Sequence, residues 1–166
     1  MDAEGHLCDA GSVGEVVVRG PNVMRGYLGL PDETARTVVD GWLHTGDVGR
    51  FDTDGHLVLV DRIKDMIIRG GENIYPKEIE NVLHAHPAVL EAAVVGAPDP
   101  VLGEVPVAYV ALLPGSAVTA GELVGHCRGS LARVKVPVSV VVTESLPKNP
   151  VGKIDKPRLR SFIVSS

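Results

Sequence analysis

The sequence predicts an α+β protein in two parts: a small β-rich N-terminal segment over residues 1–61, then a compact α+β domain over residues 62–166 with a mixed sheet and about three helices. Three observations predict it. Short β-branched runs broken by Asp/Gly turns fill the first sixty positions, and longer apolar runs alternating with helical periodicity follow. Between them lies the charged stretch Asp61-Arg62-Ile63-Lys64-Asp65. A chain of 166 residues that is 45% hydrophobic can bury a real core.

The elements follow in order. Asp2-Ala3-Glu4-Gly5 and Asp9-Ala10-Gly11 carry turn chemistry. Glu15-Val16-Val17-Val18-Arg19, ending at Gly20-Pro21, reads as one arm of a hairpin. Pro31 to Val38 opens as a short helix with Asp32 and Glu33 in its first turn, where carboxylates favour the helix dipole. Gly41 to Asp47 is read as a loop, and Val48–Phe51 with His56–Val60 as a hairpin turning at Asp52-Thr53-Asp54-Gly55.

Met66 to Arg69 is a strand stopped by Gly70-Gly71, and Pro76 to Leu83 a helix with Pro in its first turn. Val89–Gly96 and Val105–Leu113 are buried strands. Thr119-Ala120-Gly121-Glu122 has the form of a capping box, and Leu123, Val124, Cys127 and Leu131 share one face of the helix it opens. Val138–Thr143 is a further strand, and a short helix closes the chain from about Pro157.

Composition excludes several functions. Sixteen basic against twenty-one acidic residues give a net charge of −5, which argues against a nucleic-acid partner held by backbone electrostatics. Cys8 and Cys127 lie far apart without C-x-x-C spacing, so neither a disulfide framework nor a zinc site is expected, and a reducing cytoplasm fits best. No metal site is assigned: the His84-Ala85-His86 pair lacks accompanying ligands and reads as a helix end. There is no eighteen-residue apolar run and no secretory signal at MDAEGHLCDA.

One segment stands apart. PKNPVGKIDK at 147–156 sets three lysines among two prolines and a glycine. Lysine-rich turns are usually solvated surface. A phosphate-binding loop would need Gly at 147 and Ser or Thr at 154, where Pro147 and Ile154 stand. Gly152 frees the backbone before Lys153 and the prolines stiffen its approach, so the segment reads as a presented lysine.

GEVVVRGPNVMRGY at 14–27, GWLHTGD at 41–47, DRIKDMIIRGGENIYPKEIE at 61–80 and PKNPVGKIDK at 147–156 together resemble, in order, motifs of the AMP-forming acyl-adenylating synthetases. That family includes acyl-CoA synthetases, adenylation domains of peptide synthetases, and luciferases. The resemblance implies that residues 1–61 belong to the last subdomain of a large nucleotide- and acyl-binding domain. Residues 62–166 would be its mobile C-terminal domain, with a hinge near 61–65. The family's upstream phosphate loop, its Thr-Glu magnesium motif and its acyl pocket have no counterpart in the chain, which therefore resembles the C-terminal third of such an enzyme and is expected to be inactive alone.

The resemblance also assigns roles. A carboxylic acid, expected to be fatty, would react with ATP to give acyl-AMP, with Mg2+ bound mainly by the upstream region, and coenzyme A would then displace AMP. Lys153 matches the lysine that stabilises the charge built up in adenylation; Lys148 and Lys156 are expected to be surface charges. Asp47 and Arg62 match the residues that reach the ribose and phosphates. Lys64 matches the pivot. Arg69, Gly70, Gly71 and Glu72, continuing to Asn73, match the loop that faces the thiol, and GGENIYP is closer to acyl-CoA synthetases than to peptide synthetases. The residues alone leave plainer readings open: a turn for Asp47, an ion pair with Asp61 or Asp65 for Arg62, a hairpin end for Arg69–Glu72. Two alternatives remain for the whole, an enzyme that loads a carrier protein and a non-catalytic module; oligomeric state is not legible.

Overall fold

The computed structural model describes residues 1–164, with the side chain of Val164 left aside. The chain divides into two compact units, Met1–Lys64 and the residues from Asp65 onward. The division falls three positions beyond the sequence-based boundary at 61, inside the 3-10 turn Ile63–Asp65.

The first unit is a four-stranded sheet. Strand β1 (Gly14–Val18) is followed by helix α1 (Pro31–Thr37), the two-residue strand β2 (Val38–Val39), the long strand β3 (Trp42–Phe51) and β4 (Leu57–Arg62). β3 is central and antiparallel to all three partners. Two expectations are corrected here. The run Glu15–Arg19 does not form a local hairpin; it pairs across more than twenty residues with β3. GWLHTGD is not a loop but the first half of that central strand. Its small and polar residues hide the strand signal, and they are tolerated because β1 on one side and β2 on the other pair with its first residues.

The second unit is a five-stranded mixed sheet with three helices. Strands β5 (Ile67–Arg69) and β6 (Glu72–Ile74) form a hairpin across Gly70-Gly71. Both glycines have positive φ, +58° and +86°, the two-residue turn geometry that matches strand twist and that side chains with a Cβ resist. Helix α2 (Pro76–His84), strands β7 (Val89–Asp99) and β8 (Gly103–Leu112), helix α3 (Ala120–Ser130), strand β9 (Ser139–Thr143) and helix α4 (Lys156–Val164) follow. β8 is antiparallel to β7 and β5 and parallel to β9, which makes the sheet mixed.

Alternation along β7 and β8 splits the core between two faces. Ala92, Val94, Ala108 and Val110 pack with Ile79 and Leu83 of α2 and Leu123 and Cys127 of α3. Ala93, Val95, Tyr109 and Ala111 pack on the opposite face with Leu146 and with Leu159 of α4. Each fully buried Leu or Ile here contributes roughly 1.5–3 kcal/mol. In the first unit, by contrast, Val48 is the one hydrophobic residue classed as buried among the described residues, and Leu7, Leu28, Leu30, Phe51 and Leu59 are exposed.

Candidate active site

In the first unit, GWLHTGD builds a bulge. Glu15 stands opposite Val48 and Val17 opposite His44, so Thr45, Gly46 and Asp47 together face Val16. An extra stretch of this kind bends a strand and re-aims its side chains. Glu15, which sequence reasoning passed over, holds the bulge: Oε1 accepts the Gly46 N–H at 3.0 Å and Oε2 lies 2.7 Å from His44 Nδ1. Thr45 donates its hydroxyl to the Val16 carbonyl at 2.7 Å and accepts the Asp47 N–H at 3.1 Å. Asp47 is fixed at its backbone as a result.

The Asp47 side chain meets Arg62, whose Nε donates to Oδ1 at 2.7 Å, and the two residues are register partners between β3 and β4. The structure thus brings together the two residues expected to reach the nucleotide. Of the plainer readings, an ion pair of Arg62 is present, made with Asp47, and Asp61 Oδ1 accepts the Arg62 backbone N–H at 2.8 Å. Asp65 pairs with Arg160 of α4 at 2.9 Å. Lys64 sits in the 3-10 turn between them and is exposed.

In the second unit, Lys153 lies on a closed loop. Lys148 and Ile154 form an antiparallel bridge, Asp155 N–H donates to the Pro147 carbonyl at 2.8 Å, and Asn149 N–H donates to the Lys153 carbonyl at 2.8 Å. The Asn149 carboxamide oxygen accepts the N–H of Val151 at 3.1 Å and of Lys153 at 2.9 Å. Asn149 therefore organises the loop that the prolines were expected to hold. Gly152 has φ +79°, and nothing lies within 4 Å of where a Cβ would stand, so in this unit the glycine serves the turn and not a close approach. The Lys153 side chain is exposed and makes no ion pair among the described residues.

One expectation about its neighbours is corrected. Lys148 is an exposed surface charge, paired with Glu91 at 2.8 Å, but Lys156 is no surface charge: its ammonium lies 2.8 Å from Oε1 of Glu80, with the two side chains 17% and 9% exposed. Arg69, Gly70, Gly71 and Glu72, the residues expected to face the thiol, form the β5–β6 hairpin. Arg69 also spans to the segment after α3, donating to the Val134 carbonyl at 2.6 Å, and with Arg128 and Arg133 it lines a polar cleft. Among the described residues, Asp52, Asp54 and His56 are the group spaced to hold a metal. Their geometry is that of a turn, with Asp52 Oδ1 accepting the N–H of Asp54 and of His56, each at 2.9 Å.

A five-stranded mixed sheet with a lysine loop before its last helix, preceded by the HTGD bulge and a charged 3-10 turn, defines the C-terminal portion of an acyl-adenylating enzyme. Comparison agrees: residues 78–153 match the AMP-binding enzyme C-terminal domain family. The chain is 47% identical to a 2-succinylbenzoate–CoA ligase of Bacillus cytotoxicus, across 98% of this chain and 34% of the ligase. It is 49% identical to the fatty acid–[acyl-carrier-protein] ligase ScoC of Streptomyces coeruleorubidus, across 96% of this chain and 31% of ScoC. The crystal structure of ATP-bound MatB from Rhodopseudomonas palustris superposes with a TM-score of 0.91 at 36% identity, covering 97% of this chain and 32% of MatB. The chain belongs to the AMP-forming acyl-adenylating family and spans about a third of the length of the curated relatives it matches.

Proposed function

We propose that this chain supplies the C-terminal part of an ATP-dependent acid–thiol ligase that forms an acyl-adenylate and passes the acyl group to coenzyme A. The observation that carries the proposal is Lys153, an exposed cation on a loop whose backbone is fixed by Asn149. When a carboxylate attacks the α-phosphate of ATP, negative charge crowds between them, and a preorganised ammonium there stabilises the transition state. Asp47 offers carboxylate oxygens to vicinal ribose hydroxyls, and Arg62, already engaged with it, orients that carboxylate. Magnesium would neutralise phosphate charge when bound.

A lysine that serves adenylation obstructs the thiol that must follow. Rotation about 61–65 withdraws it, with Lys64 as pivot and the Arg69–Glu72 hairpin turned toward the thiol. The domain boundary belongs to this proposal, supported by the ion pairs Arg62–Asp47 and Asp65–Arg160, which tie each end of the 3-10 turn into its own unit. The name of ScoC favours a second reading, transfer to a carrier protein, and also supports a fatty acid, whereas the 2-succinylbenzoate ligase supports another acid. The unpaired cysteines Cys8 and Cys127 suit a cytoplasmic setting. No helix among the described residues is long and apolar enough to cross a membrane.

The test grafts residues 1–166 in place of the matching third of the Bacillus cytotoxicus ligase. The graft should retain ATP–pyrophosphate exchange driven by 2-succinylbenzoate. Lys153→Ala should lower that exchange by about 10²–10³-fold, the usual loss on removing one preorganised charge or donor, while thioester formation from supplied acyl-adenylate is spared. Equal loss in both half-reactions rules out the assigned role.

A further inference from the structure

The loop that presents Lys153 is anchored on both legs by lysine–glutamate pairs, and we propose that the buried one, Lys156–Glu80, is a positioning device for Lys153. Its consequence for catalysis rests on the adenylation role given above; the anchoring itself does not. The two pairs differ in depth. Lys148 and Glu91 are 47% and 27% exposed, the regime in which an ion pair contributes little, whereas Lys156 and Glu80 are 17% and 9% exposed. Removing two charges from water is costly, and apolar side chains of similar volume would serve stability at least as well. A pair kept at that depth is explained by the geometry it fixes.

Its placement supports this. Lys156 occupies the first position of α4, where the positive end of the helix dipole disfavours a cation, and no acidic residue lies in that first turn. Asp155 caps the helix instead, its Oδ1 accepting the Arg158 N–H at 3.1 Å. The lysine stands there against local preference, and what it meets is Glu80. Glu80 is itself fixed: the same Oε1 accepts the Val94 N–H at 3.0 Å, from β7 at the edge of the sheet. The chain from Glu80 through Lys156 therefore ties the loop to both α2 and the sheet. Lys156 lies three positions from Lys153, a reach of about 10 Å at most, so a fixed Lys156 bounds where Lys153 can travel. The Lys148–Ile154 bridge and the Asp155-to-Pro147 hydrogen bond transmit that constraint to the other leg.

Amide hydrogen exchange on the full chain, followed by NMR, tests the device. Lys156→Met should speed exchange of the Asn149, Gly152, Lys153 and Asp155 amides at least about tenfold, while Ala108 and Val110 in the sheet keep their protection. The double variant E80Q/K156M removes both charges, avoids stranding a buried carboxylate, and should loosen the loop equally. Lys156→Arg, which can still meet the carboxylate, should restore protection. Unchanged loop exchange in both Lys156→Met and the double variant overturns the proposal. So does loss of protection in the loop and in β7–β8 together, which would make the pair a contact of the whole fold. Exchange reads the loop whatever reaction Lys153 serves, so this outcome and that of Lys153→Ala fail independently.

Discussion

The rotation proposed about 61–65 would turn on Lys64, and the 3-10 geometry of Ile63–Asp65 decides which substitution could freeze it. Proline is tolerated at the first position of such a turn, where its φ is already right and its missing N–H is not needed. At the second position it forces the preceding residue out of the helical region. Ile63→Pro should therefore hold the turn Ile63–Asp65 as it stands, while Lys64→Pro should break it. In the grafted ligase, Ile63→Pro is expected to slow one half-reaction at least about tenfold and spare the other, since a locked pivot favours a single posture. Separate assays of pyrophosphate exchange and thioester release check this, and equal rates for both, at the unsubstituted level, would remove the hinge from 61–65. Single side chains also show where sequence reading stops. Lys153 and Asp47 could be singled out because their motifs carry them and Asn149 acts within its own loop, whereas Glu15 and Glu80 act through partners 31 and 76 positions away, which no local pattern announces.

The helix α3 offers the clearest link from a motif to a measurable stability. Thr119 Oγ1 accepts the Glu122 N–H at 3.2 Å, and Glu122 Oε2 accepts the Thr119 N–H at 2.8 Å, so the capping box read in the sequence is formed. Thr119→Ala should cost about 1 kcal/mol of the second unit's stability, the usual value for a lost cap, measured by urea unfolding. Hydrogen bonds from Thr119, backbone first and hydroxyl second, hold the Glu122 carboxyl below its ordinary range. A lowered carboxylate stabilises the fold above its unfolded value, about 4.3, and loses that contribution as pH falls through the folded value. Acidification from pH 5 should therefore weaken wild type more than Glu122→Gln, and parallel pH profiles would remove the carboxylate from the cap. Capping boxes, Gly-Gly turns and apolar runs were legible because each is a local preference acting on neighbouring residues. GWLHTGD was not, because its strand character comes from distant and short partners, residues 17–18 on one side and 38–39 on the other, with Asp47 alone meeting Arg62.

The molecule as a whole joins two bodies of unequal solidity. Both hydrophobic clusters lie entirely beyond residue 65, and they sandwich β7 and β8 between α2 and α3 on one face and α4 on the other. Cys127 is sealed in the first of these clusters, and burial pushes its thiol pKa up, while Cys8 in the first unit is half-buried. A thiol reagent should label Cys8 in the native chain and reach Cys127 only in denaturant; native labelling of both would mean that the second core opens freely.

The same contrast predicts how the chain comes apart. A unit of 64 residues with Val48 as its one buried hydrophobic among the described residues has little apolar burial to offset its chain entropy. The second unit has a two-sided core and needs no residue of the first to complete it. Limited proteolysis should therefore cut first within residues 1–64, leaving a fragment from about Asp65 that keeps the sheet's exchange protection and its lysine loop. The Asp65–Arg160 ion pair lies inside that fragment and should hold its N-terminal end in place. Mass spectrometry of the digest with exchange on the surviving fragment decides the matter. If the β7 and β8 amides lost protection when the first unit was cut away, the two bodies would be one cooperative fold, and a C-terminal domain free to rotate as a rigid whole would no longer describe this chain.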